Sequence, residues 1–196
     1  MSKPVLLVIA GCNGAGKSTF SKPLSPENFI PFDYDLEFLK NYNSLFDSEM
    51  RETMSHQMAF KELENQIKNA IENKSSFCYE TNFNSTPLYW PELFKKNGYD
   101  LHLIFLCLDS IEEAIKRVAI RVENGGHFVP NNEIHKRYHD GYSNLNSFYY
   151  YFDYVDLYDS SKYLGAPSHI LSIESGNVIS ITDIPAYLNV LIPNII

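Results

Sequence analysis

A glycine-rich segment near the N-terminus has the residue types and spacing of a phosphate-binding loop. It matches the pattern GxxxxGK[ST] in full and consists of Gly11, Cys12, Asn13, Gly14, Ala15, Gly16, Lys17 and Ser18, with Thr19 directly after it. Glycines let the backbone approach phosphates closely, and the N–H groups of such a loop form a nest for anions. The lysine of this pattern reaches the β- and γ-phosphates, and the serine hydroxyl binds Mg²⁺. We therefore predict that the segment binds ATP or GTP with Mg²⁺, and that Ser18 is the metal ligand.

Two acidic residues follow predicted strands and should lie at the same edge of a sheet as the loop. Asp33 follows the segment 29–32, and Glu80 follows the segment 76–79. In an open parallel sheet, ligands bind outside the carboxyl ends of the strands. We predict that Asp33 is the base that accepts the proton of an attacking hydroxyl, and that Glu80 holds the acceptor. Helix capping is the alternative role for both carboxylates, and Asp35 is a second candidate for the base.

Arginines on both sides of a glycine pair form a third group with a chemical role. Arg117 and Arg121 are one helical turn apart, and Arg137 lies beyond Gly125-Gly126. Arginines on a mobile lid can stabilise the charge of a transferring phosphoryl group and exclude water. We predict a lid over about residues 117–137 with a hinge at the glycines. A solvated helix face is the alternative.

Two further patterns are assigned to structure rather than to chemistry. Asp109 follows an apolar run, but the capping box 110–113 directly after it favours helix initiation, so Asp109 is left out of the metal site. His135 and His139 lie one turn apart without a third ligand in view, which favours a surface pair over a zinc site.

The elements that must position these groups alternate between short apolar runs and helical periodicity. The sequence predicts strands over 4–10, 29–32, 76–79, 101–108, 169–173 and 178–181. It predicts helices from Gly16 to before Pro23, over 48–73, from Ser110 onward and over about 132–149. The aromatic stretch 148–154 is interpreted as part of the core or as a packing surface between a helix and a strand. This alternation is typical of an α/β sheet with crossover helices. Without an internal repeat or linker, the 196 residues form a single domain over 1–196.

The amino-acid composition indicates which binding partners are disfavoured and which cellular compartment is favoured. The net charge of −8 disfavours nucleic acid and anionic membrane surfaces as partners. The three cysteines, Cys12, Cys78 and Cys107, lie in or next to apolar runs without a CxxC pair, which favours buried, reduced thiols in a cytoplasmic protein. The apolar run 5–10 is too short for a signal peptide, and no run approaches the length of a membrane span.

With these residues in view, the chain resembles the zeta-toxin-like family of P-loop kinases. The resemblance covers nearly the whole chain and rests on the segments IAGCNGAGKST, PFDYDL, FCYETN, LIFLCLDSIEEAIKRVAIRVENGGHFVP, KRY, GYSNL and LYDSS. It implies a P-loop NTPase three-layer sandwich with a nucleotide-kinase-like, five-stranded parallel core. It also implies a kinase that uses Mg²⁺ with ATP or GTP to phosphorylate a sugar hydroxyl of UDP-N-acetylglucosamine or a related nucleotide sugar. Toxin members have a small antitoxin protein as partner.

The resemblance also implies roles for individual residues. The catalytic aspartate of the family corresponds to Asp33, and the phosphate-binding arginines correspond to Arg121 and Arg137, which with Lys17 complete the expected catalytic set. The expected acceptor-binding residues are Glu80, Thr81, Asn82, Arg117 and His127. Two alternatives are a P-loop ATPase or switch acting on a protein partner and a polynucleotide kinase. The lack of a second acidic residue after Asp109 favours the kinase over the ATPase, and the acidic charge counts against a polynucleotide acceptor.

Overall fold

A central sheet organises the described part of the chain. The computed structural model describes residues 3–27, 29–126 and 128–196. Within them the sheet has six strands: β1 (Val5–Ala10), β2 (Phe77–Thr81), β3 (Asp100–Cys107), β4 (Tyr154–Asp159), β5 (Ser168–Glu174) and β6 (Asn177–Ile181). Their order is β2-β1-β3-β4-β5-β6. The first four strands are parallel, and β5 and β6 extend the sheet in antiparallel pairing.

Helices connect the parallel strands, as crossover connections require. They are α1 (Lys17–Leu24), α2 (Tyr34–Ser44), α3 (Arg51–Asn73), α4 (Tyr89–Lys96), α5 (Ile111–Glu123), α6 (Asn131–Phe148) and the short α7 (Leu188–Leu191). The predicted fold class, an α/β P-loop sandwich with a mostly parallel sheet, is confirmed. None of the described helices is long and apolar enough to cross a membrane.

The centre of the core is formed by β1 and β3. All residues from Leu6 to Ala10 are buried, and alternate side chains point to opposite faces of the sheet, where Leu6 and Val8 pack in one cluster and Leu7 and Ile9 in another. A strand buried on both faces has a continuous apolar sequence, which explains why β1 is readily recognised in the sequence.

The register of β1 and β2 brings the acidic residues to the phosphate-binding loop. Ile9 pairs with Glu80 and Ala10 with Thr81, so Glu80 lies beside the last residues before the loop. Phe32 forms an isolated parallel bridge with Tyr79, and the next residue is Asp33. The predicted placement of both carboxylates at the loop edge therefore follows from strand pairing.

Three predictions about elements were wrong in detail. The segment 29–32 is a single bridge at Phe32 rather than a strand, because Pro31 lacks an N–H group and Ile30 is exposed. Helix α1 continues through Pro23 to Leu24, since a proline in the last turn removes few intrahelical hydrogen bonds. The parallel part of the sheet contains four strands instead of the five that the resemblance implied, and the antiparallel β5 and β6 complete it.

Other elements were missed. Strand β4 begins at Tyr154, where the sequence favoured a packing surface, and its polar Asp156 obscures the apolar pattern. Asp156 accepts a hydrogen bond of 2.5 Å from the Ser172 hydroxyl of β5, which satisfies the carboxylate within the sheet. Helices α2 and α4 also gave no signal strong enough to predict them.

Candidate active site

The glycine-rich loop adopts the conformation that its glycines predict. It joins β1 to α1, and the φ angles of Gly11, Gly14 and Gly16 are 146°, 82° and 87°, within the range that favours glycine. A Cβ at Gly14 would lie 2.9 Å from the carbonyl oxygen of Ala114 in α5, so the close packing also requires glycine. The loop lies at the N-terminus of α1, where the helix dipole favours an anion.

The side chain of Lys17 connects the loop to the end of β2. Its ammonium group donates hydrogen bonds to the carbonyl oxygens of Gly11 at 2.8 Å and Cys12 at 3.1 Å, and to Asn82 Oδ1 at 2.9 Å. Burial lowers the pKa of Lys17 below its ordinary value. An ammonium group removed from bulk water attracts phosphate oxygens strongly, because little solvent screens it. Asn82, predicted to bind the acceptor, contacts Lys17 in this structure.

Three oxygen atoms converge beside the loop. Ser18 Oγ lies 2.7 Å from Asp33 Oδ2 and 3.0 Å from Glu80 Oε2. A hydroxyl carries one proton, so Ser18 can donate to only one of the two carboxylates. The two carboxylates beside Ser18 repel each other, and an additional proton or a cation would stabilise the cluster. In agreement, burial and the nearby Asp33 carboxylate raise the pKa of Glu80.

These oxygen atoms fit the predicted magnesium ion. Mg²⁺ prefers oxygen ligands and is usually held by one or two protein groups, with water and substrate phosphates completing its shell. The residues described here contain no group of three or more His, Cys, Asp or Glu side chains that could hold a metal. The donor set thus suits a metal that binds together with a nucleotide, with Ser18 as its ligand and Asp33 and Glu80 close to it.

Asp33 has two separate contacts. While Oδ2 contacts Ser18, Oδ1 accepts a hydrogen bond of 3.0 Å from the Leu36 N–H and caps α2. Capping, the alternative considered for this residue, is therefore present and leaves one carboxylate oxygen at the loop. Asp35, the second candidate for the base, lies 3.7 Å from Arg121 Nη1 and forms an ion pair with it.

A cavity of about 890 Å³ opens in front of these groups. Its lining includes most of the predicted site, among them Lys17, Ser18, Thr19, Asp33, Glu80, Thr81, Asn82, Arg117, Arg121 and Arg137. The Thr81 hydroxyl accepts a hydrogen bond of 3.0 Å from the Phe83 N–H and so also shapes the turn after β2. A volume of this size is in the range of substrate and cofactor pockets.

The guanidinium group of Arg117 is held by the protein itself. Nε donates to Glu113 Oε1 at 2.8 Å, Nη1 to the Ser160 carbonyl at 2.9 Å and the Gly14 carbonyl at 3.3 Å, and Nη2 to the Ser161 carbonyl at 2.8 Å. Arg117 therefore joins the phosphate-binding loop to the segment after β4. This geometry favours a positioning role over the acceptor-binding role predicted from the sequence.

Arg121 and Arg137 reach the cavity from different helices. Arg121 Nη1 lies 3.7 Å from Asp35 Oδ2. Arg137 Nη1 donates to Asn13 Oδ1 of the phosphate-binding loop at 3.3 Å, and its Nε lies 3.6 Å from Glu133 Oε2. The structure therefore brings Arg137 to the phosphate-binding loop and Arg121 to Asp35.

The glycine pair ends α5. Gly125 has a φ angle of 83°, its N–H group donates to the Val122 carbonyl, and the Gly126 N–H group donates to the Arg121 carbonyl. This is the Schellman pattern, in which the first residue beyond the helix takes the left-handed conformation. Helix termination accounts for both glycines, and their role as a hinge remains a prediction. His127, predicted to bind the acceptor, lies outside the described residues.

Sequence reasoning missed an aromatic wall of the cavity. Phe60 and Trp90 lie with ring centroids 6.2 Å apart, and Tyr34 stacks on His56 at 6.0 Å. All four side chains line the cavity. His56 and Phe60 are spaced one turn apart on α3, which is a signal in the sequence, but the methionines of the same helix obscured it.

The three cysteines contribute no reactive group to the site. All are buried and free, as predicted. Burial raises the pKa of Cys12 to about 11 and that of Cys78 to about 12, so both thiols stay protonated near neutral pH.

A comparison with protein families decides the classification. A family model described as Zeta toxin matches residues 1–160. The chain belongs to the zeta toxin family. The match spans the loop, the two carboxylates and the three arginines of this zeta toxin family member, whereas residues 162–165 of the cavity lining lie beyond it. No curated protein matches the chain significantly.

Solved structures similar to this zeta toxin family member support the fold. The PezAT chromosomal toxin–antitoxin system of Streptococcus pneumoniae matches with a TM-score of 0.58 and 18% identity, over 81% of this chain and 69% of that chain. AvrRxo1-ORF1:-ORF2 with ATP matches with a TM-score of 0.65 and 13% identity, over 91% of this chain and 60% of that chain. A chain of the Pnkp1/Rnl/Hen1 RNA repair complex matches with a TM-score of 0.55 and 23% identity, over 78% and 47%. Family membership and the P-loop kinase fold together support a nucleotide-dependent kinase.

Proposed function

We propose that this zeta toxin family member transfers the γ-phosphoryl group of ATP or GTP to a hydroxyl group of a small acceptor. The observation that carries the proposal is the convergence of Ser18, Asp33 and Glu80 beside the Lys17 ammonium, where a cavity of about 890 Å³ opens. Groups that neutralise phosphate and a carboxylate that can accept a proton meet at this point.

Each residue of the site has its own role in the proposed phosphoryl transfer. The loop amides and Lys17 hold the β- and γ-phosphates, and Arg137, next to the loop, neutralises charge on the transferring group. Ser18 would hold Mg²⁺, with Asp33 and Glu80 beside it, and the chemistry supplied by the bound ion would be neutralisation of charge on the phosphate oxygens. Asp33 takes the proton of the attacking hydroxyl, and Glu80 holds the acceptor through a second hydroxyl. Arg121 pairs with Asp35 in the lining of the same cavity.

The family resemblance suggests a nucleotide sugar such as UDP-N-acetylglucosamine as one candidate acceptor. A small antitoxin protein is the partner that the same resemblance suggests, and the similarity to the PezAT toxin–antitoxin system supports it. Co-purification with the product of a neighbouring reading frame tests this partner.

The decisive experiment measures ADP release with and without acceptors. We incubate the protein with Mg²⁺-ATP and a panel of nucleotide sugars, nucleosides, sugars and a 5′-hydroxyl oligonucleotide, and we detect products by mass spectrometry. A kinase requires an acceptor for full turnover and yields a phosphorylated product. A P-loop ATPase or switch releases ADP at the same rate without an acceptor, and a polynucleotide kinase labels the oligonucleotide. The variant Lys17→Ala is the control for turnover by a contaminant.

A further inference from the structure

The segment LYDSS at the end of β4 supplies two of the carbonyl groups that hold Arg117. These are the carbonyl groups of Ser160 and Ser161, at 2.9 Å and 2.8 Å from the guanidinium nitrogens. Ser160 is fixed in the core, because it is 3% exposed and both its N–H group and its hydroxyl donate to the Cys107 carbonyl at the end of β3. The turn that faces Arg117 is therefore anchored to β3 at its first residue.

The carboxylate of Asp159 fixes the second residue of this turn. Its Oδ1 atom accepts hydrogen bonds from the Ser161 N–H group at 3.1 Å and from the Ser161 hydroxyl at 2.5 Å. The same hydroxyl accepts a hydrogen bond of 3.0 Å from the Asp109 N–H group, just beyond β3. A hydroxyl that both donates and accepts is held in one orientation, so the backbone of Ser161 and the carbonyl group that faces Arg117 are held with it.

A residue beyond the matched family region completes the cluster. The Tyr187 hydroxyl donates to the same Asp159 oxygen at 2.9 Å. Burial raises the pKa of Tyr187, so the hydroxyl keeps the proton that it donates. Tyr187 directly precedes α7, whereas the family match ends at residue 160. The C-terminal segment of the chain therefore contributes to the contacts that orient Arg117.

Arg117 connects this cluster to the phosphate-binding loop. Its Nη1 atom also donates to the Gly14 carbonyl at 3.3 Å, and the Ala15 N–H group of the same peptide unit donates to the Cys12 carbonyl at 3.2 Å. Because a peptide unit is planar, contacts on both sides fix its orientation. Gly14 and Gly16 next to this unit have positive φ angles, and glycine backbone adopts many conformations unless contacts select one. The nest of N–H groups that binds phosphate depends on the selected conformation.

The cluster acts on the loop from outside the cavity. Asp159, Ser161 and Tyr187 are not part of the cavity lining, whereas Arg117 is. None of these three residues is placed to contact a ligand in the cavity. An effect of Asp159 on nucleotide binding has to pass through the Ser161 carbonyl and the guanidinium group of Arg117.

We propose that Asp159 is a positioning residue for the donor nucleotide. It orients the Ser161 carbonyl, this carbonyl orients the Arg117 guanidinium, and the guanidinium holds the phosphate-binding loop in the conformation that binds the triphosphate. The proposal rests on the kinase function proposed above, because it assigns the donor to this loop. Tyr187 supports the same arrangement from the C-terminal segment.

Calorimetry with Mg²⁺-ATP and Mg²⁺-GTP tests the role of Asp159 without requiring transfer. Asp159→Ala removes the oxygen that accepts all three hydrogen bonds, and we expect the Kd for the donor to rise by about tenfold or more, equivalent to about 1.4 kcal/mol. Asp159→Asn keeps an accepting oxygen and should restore most of the affinity.

Asp156→Ala is the matched control for these variants. Asp156 lies on the same strand and accepts a hydrogen bond of 2.5 Å from the Ser172 hydroxyl, but it has no contact with the turn that faces Arg117. This control should lose stability in thermal unfolding and bind the donor with the parental affinity. An equal rise of the Kd in Asp156→Ala and Asp159→Ala would mean that the effect reflects stability alone and overturns the proposal.

A pair of tyrosine variants tests the contribution of the C-terminal segment. Tyr187→Phe removes the hydroxyl that donates to Asp159 and should raise the donor Kd. Tyr154→Phe removes a hydroxyl that donates to Glu174 at 2.6 Å and should leave the donor Kd unchanged. Equal donor affinity in the two variants contradicts the role given to Tyr187.

Steady-state kinetics separates positioning of the donor from a general loss of function. In the transfer assay, Asp159→Ala should raise the KM for the donor, while kcat at saturating donor and the KM for the acceptor stay close to the parental values. A lower kcat with an unchanged donor KM overturns the proposal.

A double-mutant cycle tests whether the effect passes through Arg117. In the Arg117→Ala background, Asp159→Ala should cause no further rise of the donor Kd. An undiminished effect in that background overturns the proposal, and so does equal donor affinity of Asp159→Ala and the parental protein. If the parental protein itself binds neither nucleotide, the proposed function is refuted, and the positioning role with it.

Discussion

The substitution Asp33→Asn tests the assignment of the base with little change to the fold. Asparagine is as good an N-cap as aspartate, so the contact from the Leu36 N–H to Oδ1 can be retained. The second contact, with Ser18 at 2.7 Å, can also form, because the amide group can donate to the hydroxyl oxygen. What the substitution removes is the capacity to accept a proton.

The expected magnitude follows from these contacts. A positioned general base contributes about 10²–10⁴-fold to the rate, equivalent to about 3–5 kcal/mol of the barrier. Loss of a helix cap costs about 1 kcal/mol, which lowers the Tm of a chain of this size by about 2–4 °C. We therefore expect Asp33→Asn to lose at least about 100-fold in kcat with a Tm close to that of the parent. Asp33→Ala should lose the activity and also the cap.

The assay combines three measurements. Single-turnover transfer of the γ-phosphoryl group gives the rate of the chemical step, calorimetry gives the affinity for Mg²⁺-ATP, and thermal unfolding gives the Tm. Transfer by Asp33→Asn at more than about a tenth of the parental rate refutes the role of Asp33 as base. Recovery of the rate at a higher Mg²⁺ concentration would instead assign Asp33 to holding the metal.

The remaining predictions address the other groups of the site. Lys17→Ala should abolish nucleotide turnover, because the buried ammonium group that meets the phosphates is lost, and a residual rate above about 1% measured by ADP release would contradict this. Glu80→Gln should raise the Tm at pH 8, because the raised pKa of Glu80 makes its ionisation unfavourable in the folded state. The difference in Tm between the variant and the parent should shrink as the pH falls toward the ordinary carboxyl pKa of 4.5. A lower Tm for the variant at pH 8 would argue against this effect of Glu80. Arg137→Ala should lower kcat with little change in Tm. Arg117→Ala should lower the Tm by several degrees, because the carbonyl groups of Ser160 and Ser161 lose the guanidinium group that donates to them. The opposite pattern in paired thermal and kinetic measurements would exchange the roles of the two arginines.

The face by which α3 packs shows a limit of the sequence pattern. The apolar stripe of Met50, Met54, Met58, Leu63, Ile67 and Ile71 correctly predicts a long helix, and Leu63 and Ile67 are buried as the stripe requires. The three methionines at its start are not. In the structure these methionines are 62%, 42% and 41% exposed, while Ser55 and Ala59 are fully buried. The N-terminal half of α3 therefore buries small residues, and hydrophobicity alone does not identify this face.

The sequence by itself determined the local features of the site. The loop from Gly11 to Ser18 is defined by a contiguous pattern whose backbone requirements are met within a few residues. Strand β1 was recognisable for a similar reason, because burial on both faces requires a continuous apolar run. The fold class followed from the alternation of such runs with helical segments.

Only the tertiary structure decided which groups meet. Strand pairing between β1 and β2 places Glu80 beside the loop, and the bridge from Phe32 to Tyr79 brings Asp33 to Ser18. Arg117 and Arg121 have the same residue type and lie one turn apart, yet the first is held by carbonyl groups and the second faces Asp35. These differences depend on segments that are distant in the sequence and meet only in the folded chain.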